Sequence, residues 1–224
     1  MDTNSEIRKL IDASVNNPYA YNKEDLKYSV LNYTECFDFI LDDKDIKSGI
    51  NRLYGYLGIN EFTENISCIV SNSVNGNIAK NISDNIHIHC FDNDYYCSMA
   101  SQIANYDKNQ KDKIEFLFGD ISQFFTSDFS SNFYADFIVT CPSEFNSAYK
   151  SLDSEMKYRQ MNAQEYYTKR SIDLLNSGGI CMCIIASDLE AFIKNKMVSF
   201  EKKVSILGSV KFDKGYSFIF IKKA

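Results

Sequence analysis

Apolar residues in the first sixty positions recur at helical spacing. In residues 6–15 they fall at Ile7, Leu10, Ile11 and Val15, as one face of a 3.6-residue turn requires. A second helix opens at Asn22 or Lys23, with Leu26, Val30, Leu31, Phe37 and Ile40 on its buried side. A third covers residues 46–57 and stops at Gly58. After that the pattern changes to short, continuously apolar runs at 66–70, 86–91, 114–118, 137–140 and 180–186, with helical spacing at 94–106, 154–175 and 188–197. Strands that are apolar throughout, separated by helices, predict a parallel sheet covered on both faces. Two further strands, 204–210 and 216–221, are joined by five residues, too few for a parallel crossover, so they form an antiparallel hairpin. The pattern predicts an α/β domain over residues 61–224, a seven-stranded, mostly parallel sheet with a final antiparallel hairpin. A helical N-terminal extension, residues 1–60, precedes it.

Composition narrows the function classes. The 224 residues carry a net charge of −6, which excludes a general polyanion binder. The charge is uneven: from Ile193 onward eight Lys face Glu201 and Asp213, +6 in all, so the remainder carries −12. A basic end on an acidic body predicts contact with nucleic acid or an acidic partner, or a lysine edge that discourages strand aggregation. No apolar run approaches the roughly 20 residues that span a bilayer, and the first residues lack a signal-peptide pattern. Seven cysteines at unpaired spacings, mostly inside apolar runs, read as small hydrophobes in a reducing, cytoplasmic compartment. His87-Ile88-His89-Cys90 places both imidazoles on one face of a strand, but the spacing matches no zinc motif, so no metal is expected.

Several stretches resemble the class I S-adenosylmethionine-dependent methyltransferases, in particular the DNA adenine-N6 subgroup. "IHCFDNDYY" resembles the second-strand motif, whose acid binds the cofactor ribose, and Asp92 falls on that acid. The same residues also read as a turn and helix N-cap. "IEFLFGDIS" resembles the third motif, in which Asp120 meets the adenine amino group and Ile121 lies against the ring. "LLNSGG" before the apolar run at 180 resembles the family's helix stop, with glycine available for a left-handed cap.

Two motifs depart from the family. The first should be a strand, an acid and a glycine-rich turn, but the chain reads "ISCIVSNSVNGNIAKNI". Ser71 or Asn72 stands at the acid, and Asn75 and Asn77 flank Gly76 where glycines are usual. Asn tolerates positive φ, so the turn can form, while the carboxylate that pairs with the methionine ammonium is missing. The fourth motif appears as "DFIVTCPSEF": Cys141 takes the polar position before Pro142, Glu144 the aromatic position, and Phe145 follows one residue late. A thiol is a weak acceptor, and a flipped base needs an aromatic face. A Cys141 nucleophile of the cytosine-C5 kind is disfavoured because Pro follows Cys here. What the resemblance implies is a degenerate, non-catalytic methyltransferase-like subunit in a complex, binding S-adenosylmethionine weakly or not at all. The alternative is an active methyltransferase acting on nucleic acid through an atypical site.

Overall fold

A computed structural model describes residues 3–17, 21–33, 41–72, 75–92, 94–109, 112–119, 134–142, 161–200 and 204–224. Three helices come first, α1 (Thr3–Asn16), α2 (Lys23–Val30) and α3 (Asp43–Leu57). The alternating part follows: β1 (Ser67–Ser71), α4 (Asn77–Lys80), β2 (His87–Asp92), α5 (Tyr95–Ala104), α6 (Tyr106–Asn109), β3 (Ile114–Phe118) and β4 (Ala135–Thr140). Then come α7 (Ala163–Asp173), β5 (Leu175–Ala186), α8 (Glu190–Val198), β6 (Val204–Lys211) and β7 (Tyr216–Lys223). No helix among the described residues is long and apolar enough to cross a membrane.

The seven strands form one sheet in the order β3-β2-β1-β4-β5-β7-β6. β1 to β5 pair in parallel, while β7 lies antiparallel between β5 and β6. The strand centres are apolar on both faces because both faces are covered. On one face Val70, Phe137, Val139, Met182, Phe218 and Phe220 pack against α3 and α4. On the other, Ile69, Ile138, Cys181, Ile185 and Ile219 pack against α7 and α8.

α3 is built for its place. Asp42 caps its first turn by accepting from Lys44 N, and Ile46, Ile50 and Leu53 form one fully buried stripe. Burying each such side chain contributes about 1.5–3 kcal/mol. Gly58 closes the helix at φ 71, as the sequence predicts. α1 and α2 form a smaller cluster with α5, centred on Ile7, Ile11, Val30 and Tyr33.

Several local expectations are corrected. The second helix ends at Val30 with Leu31 as its cap, while Phe37 and Ile40, expected on its buried side, lie outside the described residues. The helix predicted over 94–106 breaks at Asn105, whose Nδ2 donates to the carbonyls of Ser101 and Gly76, and a separate turn, α6, follows. The Gly-Gly pair does not cap α7, which ends at Asp173 with Leu174 in right-handed conformation. Leu175 pairs directly with Ala135, and the next register pair is Phe137 with Ile180. The intervening residues bulge out of β5, with Gly178 at φ 81. The short helix α4, which opens behind Gly76, has no counterpart in the periodicity.

Candidate functional site

In a sheet of this kind ligands bind beyond the carboxyl ends of the strands, where the order reverses between β1 and β4. Ser71 and Thr140 end those two strands and are register partners, joined further by Cys141 N donating to Ser71 O at 3.0 Å. Beyond β1 the chain turns through Asn72 at φ 57, Asn75 at φ 50 and Gly76 at φ 87 before entering α4. Asparagine therefore supplies the left-handed backbone that the family builds with glycine.

This turn is held from two sides. Asn75 Nδ2 donates to Leu31 O (2.8 Å) and Tyr33 O (2.7 Å), tying it to the segment after α2. On the other side Gly76 lies against α5, where an added Cβ would stand 2.8 Å from Ser101 Cα. The glycine is required by the helix beside it. Asp92 ends β2 almost fully buried and accepts from Ser101 Oγ at 3.1 Å. Asp94 separately caps α5 by accepting from Cys97 N at 2.8 Å. The two sequence readings of Asp92-Asn93-Asp94 thus belong to different residues: Asp94 is the cap, and Asp92 is left as the strand-end carboxylate.

Five buried polar atoms lie around these strand ends without a hydrogen-bond partner among the described residues. They are Ser71 Oγ, Asn72 Nδ2, Asn75 Oδ1, Asn77 Oδ1 and Thr140 Oγ1. Buried polar atoms are nearly always satisfied by protein, water or ligand, so this cluster fits a polar ligand. It offers acceptors (Asn75, Asn77), a donor (Asn72) and hydroxyls that serve as either. That set, with Asp92, suits the ammonium, carboxylate and ribose of S-adenosylmethionine. Thr140 carries no motif signal in the sequence; its place beside Ser71 appears only from strand register and burial.

The fourth-motif residues separate. Phe137, Val139 and Cys141 alternate onto the α3 face, and the Cys141 side chain is buried in that apolar core. Burial, and then the neighbouring Cys183, pushes its thiol well above the ordinary value. Pro142 is also buried. Glu144 and Phe145, like Asp120 and Ile121 of the third motif, lie outside the described residues.

No protein-family model matches the sequence, and no curated protein matches it significantly. Solved structures do match. A Listeria monocytogenes protein assigned to the class I S-adenosylmethionine-dependent methyltransferases has a TM-score of 0.65 at 12% identity, over 90% of this chain and 67% of its own. The N-methyltransferase NodS of Bradyrhizobium japonicum, in complex with S-adenosyl-L-homocysteine, has a TM-score of 0.58 at 12% identity, over 91% of this chain and 99% of its own. An rRNA methylase of Streptococcus thermophilus has a TM-score of 0.55 at 10% identity, over 78% and 96%. With the strand order and the closing hairpin, these likenesses establish that the chain has the Rossmann-like fold of the class I methyltransferases.

Proposed function

We propose that this chain is a binding subunit on the methyltransferase fold. It holds S-adenosylmethionine or its demethylated product weakly, does not itself methylate adenine N6, and works with a partner subunit or nucleic acid. The observation that carries the proposal is the position of Cys141. Adenine N6 is a poor nucleophile whose lone pair is delocalised into the ring, and transfer to it needs a strong acceptor aimed at the amine. Cys141 is a weak acceptor and packs in the core on the α3 face.

For the cofactor, Asp92 would take the ribose hydroxyls, while Asn72, Asn75 and Asn77 would meet the methionine end. When bound, its sulfonium supplies an activated methyl group. A neutral hydrogen bond contributes about 0.5–1.5 kcal/mol where a charge-assisted one contributes about 1.5–3. Replacing the missing acid by amides therefore weakens binding by about tenfold. For the polynucleotide, the Streptococcus neighbour is an rRNA methylase, which puts RNA beside DNA as the strand to test. In the basic stretch Lys194 and Lys196 pair with Glu190 and Glu165, and Lys214 pairs with Asp42. Lys211 and Lys222 are exposed on the closing hairpin.

A second proposal, an active methyltransferase with an atypical site, is favoured by the unpartnered polar atoms at the strand ends. One pair of experiments separates the two. Calorimetric titration with S-adenosylmethionine should show weak binding that disappears in Asp92→Ala. A radiolabel assay on DNA and RNA should show no transfer to adenine. Transfer that is lost in Cys141→Ala would overturn the non-catalytic proposal.

A further inference from the structure

Both histidines of the chain lie at the other end of β2 from Asp92. His87 and His89 are two residues apart on the strand and share a face, with ring centroids 4.7 Å apart. His87 Nδ1 and His89 Nε2 stand at 3.2 Å. The second nitrogen of His89, Nδ1, is 3.0 Å from Oε2 of Glu115, its register partner on β3. An ionised carboxylate only accepts, so Nδ1 of His89 carries the proton and Nε2 turns its lone pair toward His87.

We propose that His87 Nδ1 and His89 Nε2 chelate one divalent transition-metal ion of the zinc class, with Glu115 as a positioning residue. Two nitrogens each about 2.0–2.1 Å from a tetrahedral zinc ion stand about 3.3–3.4 Å apart, and the observed separation is 3.2 Å. The carboxylate on the far nitrogen reproduces the arrangement that orients a metal-bound imidazole and raises its basicity. Among the described residues no third His, Cys, Asp or Glu converges on the pair, so water or an outside donor completes the coordination. His87 and Glu115 also border a cavity of about 410 Å³ at the β3 edge, together with Gln102 and Asp112.

Along the strand His89 stands three residues, about 10 Å, and His87 five residues, about 16 Å, from Asp92. The ion would bridge two side chains of β2, with the edge strand β3 tied in only through Glu115, and take no part in methyl transfer. Because folding holds the two imidazoles in the chelating arrangement, binding should raise the stability of the folded chain.

The test uses the full chain, stripped of metal with a chelator and titrated with Zn²⁺ by calorimetry and by thermal unfolding. One ion should bind per chain and raise the unfolding midpoint. His87→Ala and His89→Ala should each abolish the heat and the shift, and Glu115→Gln should weaken binding about 10- to 100-fold at unchanged stoichiometry. His87→Gln, which keeps a hydrogen-bonding group without the chelate, should behave as the alanine variant does. No binding up to millimolar Zn²⁺ would show that the contact is an N–H···N hydrogen bond and overturn the proposal. Unchanged affinity in the double alanine variant would overturn it too, by placing the ion on thiols elsewhere.

Discussion

Replacing Gly76 by alanine should destabilise the protein through two separable effects. At φ 87 the backbone is left-handed, which costs an L-residue about 1–2 kcal/mol. The new Cβ would also stand 2.7 Å from Asn105 Nδ2, 2.8 Å from Ser101 Cα and 3.1 Å from Ala104 Cβ. The Asn105 amide can swing away, but Ser101 Cα is helix backbone, so α5 itself must retreat. Overpacking of this kind costs about 1–3 kcal/mol. Alanine stiffens the unfolded chain and offsets about 0.4–1 kcal/mol, leaving a net loss of about 1–4.5 kcal/mol. That is a large part of the roughly 5–15 kcal/mol available to a domain. Gly58→Ala is the control: φ is 71, but no atom lies within 4 Å of the added Cβ, so only the conformational effect remains. Urea unfolding followed by circular dichroism gives both values by linear extrapolation. Gly76→Ala should exceed Gly58→Ala by about 1–3 kcal/mol. Equal losses would refute the packing of the turn against α5.

Asn75→Ala removes both donors to Leu31 O and Tyr33 O and should cost about 1–3 kcal/mol in the same assay. Asn75→Asp should cost at least as much, because it sets a carboxylate against two carbonyls; a milder effect would show that the amide contacts are not made. Asn72→Asp restores an acid near the position where the family carries one and should tighten S-adenosylmethionine binding about tenfold by calorimetry. Unchanged affinity would place the methionine end elsewhere. The buried thiols of Cys68, Cys90, Cys141, Cys181 and Cys183 are raised above their ordinary pKa, chiefly by burial, that of Cys183 to about 12. In the unfolded chain they ionise above about pH 9, so the native state then holds more protons. Their contribution is complete below that pH and is lost as pH climbs toward the native values, at up to about 1.4 kcal/mol per unit for each thiol. Urea midpoints should therefore be level near pH 8 and fall steeply above pH 9, and a flat profile to pH 10.5 would contradict the burial.

The sheet was legible because its strands are continuous apolar runs, which in a chain of alternating elements fit little besides buried parallel strands. β3 begins and ends where the runs predict. The start of β5 was not legible, because Gly178-Gly179 reads locally as a helix stop. Pairing with Ala135 recruits Leu175 into the strand before the glycines are reached. The same limit applies at the candidate site. Left-handed Asn72 and Asn75 follow from the residue types, whereas the partners of Asn75 lie 42 and 44 positions away. The outcome for Cys141 depended on strand parity, which puts it on the face of Phe137 and Val139. Neither kind of information is carried by a motif.

The insertion of β7 between β5 and β6 sets an order on synthesis. β6 is synthesised before the strand that will hold it, and β5 keeps an open edge until residues 216–223 have been added. At about 5–20 residues per second, the twenty residues from 204 to 223 occupy about 1–4 s. During that interval β5 lacks its partner on one side, with Ile184 and Ile185 on an unpaired edge. Phe218, Ile219, Phe220 and Ile221, all fully buried in the finished sheet, arrive together and close it in one step. A nascent chain halted inside the 212–215 turn would be the species most exposed to chaperones, and to pairing with the wrong strand.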